Sequence, residues 1–239
     1  MINLAVSGCL GRMGQSITRL ALQDHEFKLH ALLERKDHPK TDEWINGVAI
    51  STDGSSLNGC DVLIEFTTPQ ATIDNLQVCL KHNVKMVIGT TGLEHDQIMR
   101  IQKASEKIPI VFSSNMSVGV NLLFKLTQIA SEKTGTNYTI NITEAHHIHK
   151  KDAPSGTAKT LAEVAEKASG QKVRNIESIR ENEIIGDHTI TFESNDDMIS
   201  IFHHAKSRDI FAKGALVAAK FVSKKDKGLF NMQDVLGLR

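Results

Sequence analysis

The sequence predicts an α/β protein: a doubly wound parallel sheet followed by a smaller α+β domain. Three observations carry this reading. The chain opens on a short apolar strand, Ile2 to Val6, that runs into a glycine-bearing turn and then a helical face of Ile17, Leu20 and Ala21. Apolar strand-like runs then alternate with helical periodicity as far as Phe112, the pattern of parallel strands joined by crossover helices. After Ser117 the alternation stops. One long amphipathic helix, 118–133, is followed mainly by strands. The expected division is 1–117 for the first domain, 118–207 for the second, and 208–239 as a segment returning to the first.

Taken in order, the first turn reads Gly8-Cys9-Leu10-Gly11-Arg12-Met13-Gly14, glycines spaced G-x-x-G-x-x-G between a strand and a helix. Glycine is needed where backbone turns tightly against a pyrophosphate and where the helix lies close on the strand. A glycine-rich turn without a ligand is the plain alternative. The second strand, Phe27 to Leu33, ends in Glu34-Arg35-Lys36, about twenty residues past the glycines, as a dinucleotide fingerprint requires. Glu34 suits the ribose hydroxyls of NADH, and Arg35 with Lys36 suits the 2′-phosphate of NADPH. Further strands, Asp61 to Phe66, Val84 to Ile88 and Ile108 to Phe112, end in Thr67-Thr68-Pro69, Gly89-Thr90-Thr91-Gly92 and Ser113-Ser114-Asn115-Met116. Ligands of such sheets lie beyond the carboxyl ends of the strands. The expected dinucleotide contacts are therefore Gly8, Cys9, Leu10, Gly11, Arg12, Met13, Glu34, Arg35, Gly89, Thr90, Thr91, Ser113, Ser114, Asn115 and Met116, in a Rossmann-type domain.

The second domain carries the densest chemistry. The strand Tyr138 to Thr143 empties into Glu144-Ala145-His146-His147-Ile148-His149-Lys150-Lys151, and Asp152-Ala153-Pro154 leads to Ser155-Gly156-Thr157 and a helix to Ala168. Ser155 reads as an N-cap, with Gly156 and Thr157 presenting N–H groups at the positive end of the helix. Such a terminus holds carboxylate or phosphate. Histidine exchanges protons near neutral pH, and a neighbouring lysine adds fixed charge or a second proton. The stretch suits a small, doubly anionic substrate; a solvated basic loop is the bland alternative. No metal is expected, since the adjacent lysines repel a cation and no cysteine or acid stands at finger-like spacing.

Composition sets the limits. Of 239 residues, 40% are hydrophobic, enough for a substantial core, and Lys plus Arg equals Asp plus Glu at 28 each, so no global field favours nucleic acid or a membrane surface. Three cysteines without a paired spacing suit a reducing cytoplasm. No apolar run approaches a membrane span.

Gly8-x-x-Gly11-Arg12-Met13-Gly14, Glu34-Arg35, Gly89-Thr90-Thr91-Gly92, Ser114-Asn115-Met116-Ser117, Glu144-Ala145-His146-His147 through Gly156-Thr157-Ala158, and the tail from Gly228 to Leu236 closely resemble the bacterial 4-hydroxy-tetrahydrodipicolinate (dihydrodipicolinate) reductases. The resemblance implies reduction of a cyclic dicarboxylate by NADH or NADPH on the path to diaminopimelate and lysine. It also implies a homotetramer built through the sheets of the second domain, the one for substrate binding and oligomerisation. It assigns His146 as general acid/base, Lys150 as a second proton donor, and His147 with the Gly156 and Thr157 amides to the substrate carboxylates. Two departures stand out: a short stretch between Ala168 and Arg180, and Asn182 where a glycine is common. Other readings are a different dehydrogenase of an anionic substrate, such as a semialdehyde, and a dinucleotide-sensing module without turnover.

Overall fold

The computed structural model describes residues 1–41 and 43–238. The chain forms two compact units, one of 1–117 with 209–237 and one of 118–208.

The first unit is built on strands β1 (Ile2–Ser7), β2 (Phe27–Leu33), β3 (Trp44–Ile45), β4 (Val48–Ser51), β5 (Val62–Glu65), β6 (Lys85–Ile88), β7 (Pro109–Phe112) and β12 (Gly228–Phe230). They form one sheet in the order β12-β7-β6-β5-β1-β2-β4-β3. All neighbours are parallel except β3 and β4. Every residue of β5 is buried, as expected of a strand covered on both faces. Successive side chains point to opposite faces. Val6, Ile64, Val87 and Val111 join one core with α1 (Arg12–Ala21) and α6 (Asp209–Val222), while Ala5, Leu63, Met86 and Ile110 join another with α2 (Pro69–His82) and α3 (His95–Ala104). The short helix α7 (Met232–Val235) follows β12.

Two glycines set how closely the backbone packs. A Cβ on Gly14 would lie 2.1 Å from the Gly8 carbonyl oxygen, and one on Gly214 would lie 1.7 Å from that of Met116. The first brings α1 against the β1 turn; the second seats α6 on the segment after β7. The β3–β4 hairpin was not anticipated, although its turn is Asn46-Gly47 with φ of 50° and 78°, the positive pair that a tight two-residue turn demands.

The second unit is a four-stranded sheet in the order β11-β10-β8-β9, from β8 (Thr139–His146), β9 (Asn175–Arg180), β10 (Asp187–Glu193) and β11 (Met198–His204). Helices α4 (Val118–Thr134) and α5 (Gly156–Ser169) cover one face, where Val120, Leu123, Leu161 and Ala165 pack on Ile140, Ile142, Ile190 and Phe192. Only residues 170–174 join α5 to β9. Asn182 has φ of 49°, the left-handed conformation that glycine adopts freely and asparagine tolerates, so the departure there keeps the turn.

One boundary corrects the sequence reading. Strand β8 runs on through Glu144-Ala145-His146, so His146 stands at a strand end and not in the loop. The in–out alternation continues unbroken, with Glu144 and His146 on the buried face beside Ile140 and Ile142. Apolar periodicity cannot register a buried acid and histidine.

Candidate active site

In the second unit the site grows from the inner face of the sheet. Register places Glu144 opposite His188 on β10 and Ser178 on β9, and His188 opposite His203 on β11. Glu144 has no exposed surface, His188 has 3% and His146 8%. Arg180, at the end of β9, donates to both carboxylate oxygens of Glu144, Nη2 at 2.7 Å and Nη1 at 3.0 Å. The Ser155 N–H donates to Oε1 at 3.1 Å, and His146 Nδ1 meets Oε2 at 2.5 Å. Burial alone pushes the pKa of Glu144 up, but these hydrogen bonds, led by Arg180, outweigh it and bring it down to about 2. The carboxylate is therefore ionised and fixes the proton of His146 on Nδ1, turning Nε2 away from it. A Cβ on Gly186 would stand 3.1 Å from that Nε2, so the missing side chain keeps the nitrogen clear. Burial lowers the pKa of His146, and Glu144 partly offsets this.

The loop after β8 brings Lys150 back, with Nζ 2.8 Å from Asp152 Oδ1. Ser155 caps α5, its Oγ accepting the Ala158 N–H at 3.2 Å, a contact worth about 1 kcal/mol. Gly156 is exposed, and a Cβ there would meet nothing within 4 Å, so an incoming group can approach the helix end. Thr157 follows on the same turn, and His147 is half-buried beside the His149 ring, 6.1 Å between centroids. Sequence reasoning missed Arg180, His188 and Gly186. Each lies more than thirty residues from His146, and only strand pairing brings them together.

Glu144, His146 and His188 place one potential ligand atom each within 4.8 Å of one another. Arg180 already occupies both oxygens of that carboxylate, and its charge opposes a cation.

In the first unit, a cavity of about 500 Å³ opens at the carboxyl ends of the strands, lined by Gly8, Gly11, Glu34, Arg35, Phe66 and Thr67 among others. It fits a dinucleotide: α1 has no side-chain cap on its first turn, so the N–H groups of that turn can meet a phosphate, while Gly8 and Gly14 let the β1 turn and α1 pack closely beneath it. Glu34 accepts from the Leu10 N–H and from its own neighbour Arg35, both at 3.0 Å, which ties the end of β2 to the glycine turn. Arg12 and Met13 open α1.

Other expected contacts contribute less directly. The Cys9 side chain is buried, its N–H donates to the Leu33 carbonyl, and burial lifts its thiol to about 11, so it holds the turn and offers no thiolate. A Cβ on Gly89 would collide with the Phe66 ring at 2.3 Å, so Gly89 serves the cavity by seating Phe66. Thr90 is buried, bonded to Thr67 and Thr72, whereas Thr91 is exposed. Ser113 and Asn115 bond within their own turn and Ser114 is exposed there, but Met116 is a core residue. Phe66 and Thr67 were missed as lining residues, although they follow an apolar strand as the other turns do.

Residues 2–116 match the family model for the dihydrodipicolinate reductase N-terminus, and 119–236 match that for its C-terminus. The chain belongs to the dihydrodipicolinate reductase family. It is 41% identical to the 4-hydroxy-tetrahydrodipicolinate reductase of Nitrosomonas eutropha, covering 100% of this chain and 99% of that protein, and 37% identical to that of Syntrophus aciditrophicus, covering 100% of both. Those alignments span 266 and 267 positions for 239 residues here, so the relatives carry residues that this member lacks. A dipicolinate-bound dihydrodipicolinate reductase from Paenisporosarcina sp. TG-14 shares the fold, with a TM-score of 0.85, 24% identity and 98% of each chain covered. Members of the family are NAD(P)H-dependent oxidoreductases. No helix among the described residues is long and apolar enough to cross a membrane.

Proposed function

We propose that the chain reduces 4-hydroxy-tetrahydrodipicolinate to tetrahydrodipicolinate with NADH or NADPH, in diaminopimelate and lysine biosynthesis. The observation that carries the chemistry is the buried ion pair that orients His146 beside the open N-terminus of α5. Replacing a ring hydroxyl by hydrogen takes up one hydride and one proton and releases water. The reduced nicotinamide, bound to the first unit, supplies the hydride.

This chain's residues do the rest. His146 delivers the proton through Nε2, its imidazolium form supported by Glu144, and Lys150 stands as a second donor. The Gly156 and Thr157 amides with His147 hold the carboxylates through hydrogen bonds at the positive end of α5. In the first unit, Gly8 to Met13 cradle the pyrophosphate, and Glu34 and Arg35 face the adenosine ribose. Gly89 to Thr91 and Ser113 to Asn115 form the nicotinamide side. Residues 1–117 and 208–239 thus serve as the dinucleotide domain and 118–207 as the substrate domain.

The outer face of the four-stranded sheet exposes Phe202 and Met198, each 62% accessible, which supports assembly of a homotetramer through this face. Three buried, unpaired cysteines suit the cytoplasm.

The test couples the purified protein to dihydrodipicolinate synthase and follows absorbance of the reduced nicotinamide. Consumption that depends on the synthase product is the expected result. Flat absorbance with cofactor demonstrably bound would replace this reading with a dinucleotide-sensing module. Light scattering after size exclusion gives the assembly state.

A further inference from the structure

His188 has no part in the chemistry described so far, yet it is placed against both halves of it. Its Nε2 lies 3.2 Å from Ser155 Oγ, the hydroxyl that caps α5. Its ring meets that of His146 edge-on, with centroids 5.1 Å apart and planes at 76°. It is 3% exposed, and its Nδ1 has no hydrogen-bond partner within the protein, so one ring nitrogen stays unpaired whichever carries the proton. A leucine would fill such a core position without that cost. Retaining a histidine there points to a task that needs a polar ring.

We propose that His188 is a positioning residue that ties the His146 ring to Ser155, so that the proton-transfer nitrogen and the carboxylate-holding end of α5 keep a fixed separation. The proposal rests on the reading of His146 as the acid/base. Three strands and a helix converge on this point: Glu144 and His146 from β8, Arg180 from β9, His188 from β10, and Ser155 from the start of α5. Burial holds His188 neutral, its pKa down at about 3, so it does not compete with His146 for the proton. The charged or titratable groups around the two rings are Glu144, Arg180, Lys150 and His203, and among them only Glu144 lifts the pKa of His146. If the His146 ring slips from its seat, contact with Glu144 weakens and its pKa falls further.

The experiment compares His188→Phe, His188→Gln, Ser155→Ala and the Phe/Ala double variant, with His146→Gln as the control for the underlying reading. Phenylalanine keeps the ring but not the bond to Ser155; glutamine restores a polar group near the position of Nε2. His188→Phe should lower kcat/KM for the dicarboxylate at least tenfold and move the titration of the pH–rate profile assigned to His146 to lower pH. NADH affinity should stay within twofold of wild type. His188→Gln should recover most of the loss, and Ser155→Ala should add little to His188→Phe. An unshifted pH profile, or additive losses in the double variant, would overturn the proposal. Should His188→Phe fail to fold, Ser155→Ala decides: a pH–rate profile moved to lower pH supports the tie, and an unshifted profile refutes it. If His146→Gln turns over normally, it is the acid/base reading that fails.

Discussion

Arg180 holds both carboxylate oxygens of Glu144, at 2.7 and 3.0 Å, although Glu144 is wholly buried and Arg180 stands 36 residues further along the chain. A buried charge is tolerated only when paired, and removing one partner of such a pair typically costs about 3–5 kcal/mol. Arg180→Ala should therefore destabilise the second unit by about 3 kcal/mol, the low end because the guanidinium is partly exposed. Arg180→Lys should recover less than half, since one ammonium cannot match the two-pronged contact. Urea denaturation of both variants measures this. Wild-type stability in Arg180→Ala would mean that the pair is not formed in solution.

Stability should also fall with acidity in two stages. His188, His146 and His203 all have lowered pKa values, chiefly through burial, so an unfolded chain takes up their protons first. Stability is thus complete above about pH 6.5 and declines below it. Glu144, depressed to about 2, adds a second loss that begins near pH 4.3 and is complete only below pH 2. Melting temperatures from pH 8 to pH 4 should show the first stage, reduced in His188→Gln. A flat melting temperature across that window would show that these histidines titrate normally.

His146→Gln and Lys150→Met should each cut turnover by about 10²–10⁴-fold. NADH binding should be unchanged, because both residues belong to the second unit and the nucleotide cavity to the first. Fluorescence titration with NADH alongside steady-state kinetics separates the two effects. Weakened cofactor binding with normal turnover would mean that the cationic loop has been misassigned.

Gly156 offers a cleaner probe of the helix end. It is the first residue of α5, where proline is well tolerated, and Ser155 before it is already extended, with ψ of 156°. Gly156→Pro should therefore leave the fold intact while deleting one N–H, raising KM for the dicarboxylate severely. Thr157→Ser should be mild. Equal effects in the two variants would argue against carboxylate capture by backbone amides.

Both nicotinamide cofactors should be accepted, with Glu34 and Arg35 setting the balance. Arg35 is exposed, its Nε 3.5 Å from Asp37, and exposed pairs are worth only about 0.2–1 kcal/mol, so shifts of a few-fold are expected. Arg35→Ala should raise KM for NADPH more than for NADH. Glu34→Gln should relax discrimination against NADPH but weaken both, because Glu34 also anchors the Leu10 N–H. Michaelis constants at low and high salt test this, and a strict preference indifferent to both residues would place the turn away from the adenosine.

Much of this protein could be read from local pattern. Apolar runs closed by glycine and threonine marked the parallel strands, and Ser155 before Gly156 marked the start of α5, because periodicity and capping are local properties. The Asn46-Gly47 hairpin was equally legible and was passed over. Tertiary structure alone decided three things. It carried β8 on through Glu144 to His146, since Arg180 makes a buried acid tolerable there. It turned Cys9 and Met116 into the core, where side chains from non-adjacent strands meet. It also set His188 between His146 and Ser155. Pairing of β10 with β8 is a contact between segments more than forty residues apart, and no local pattern encodes which buried polar side chains will share one face of a sheet.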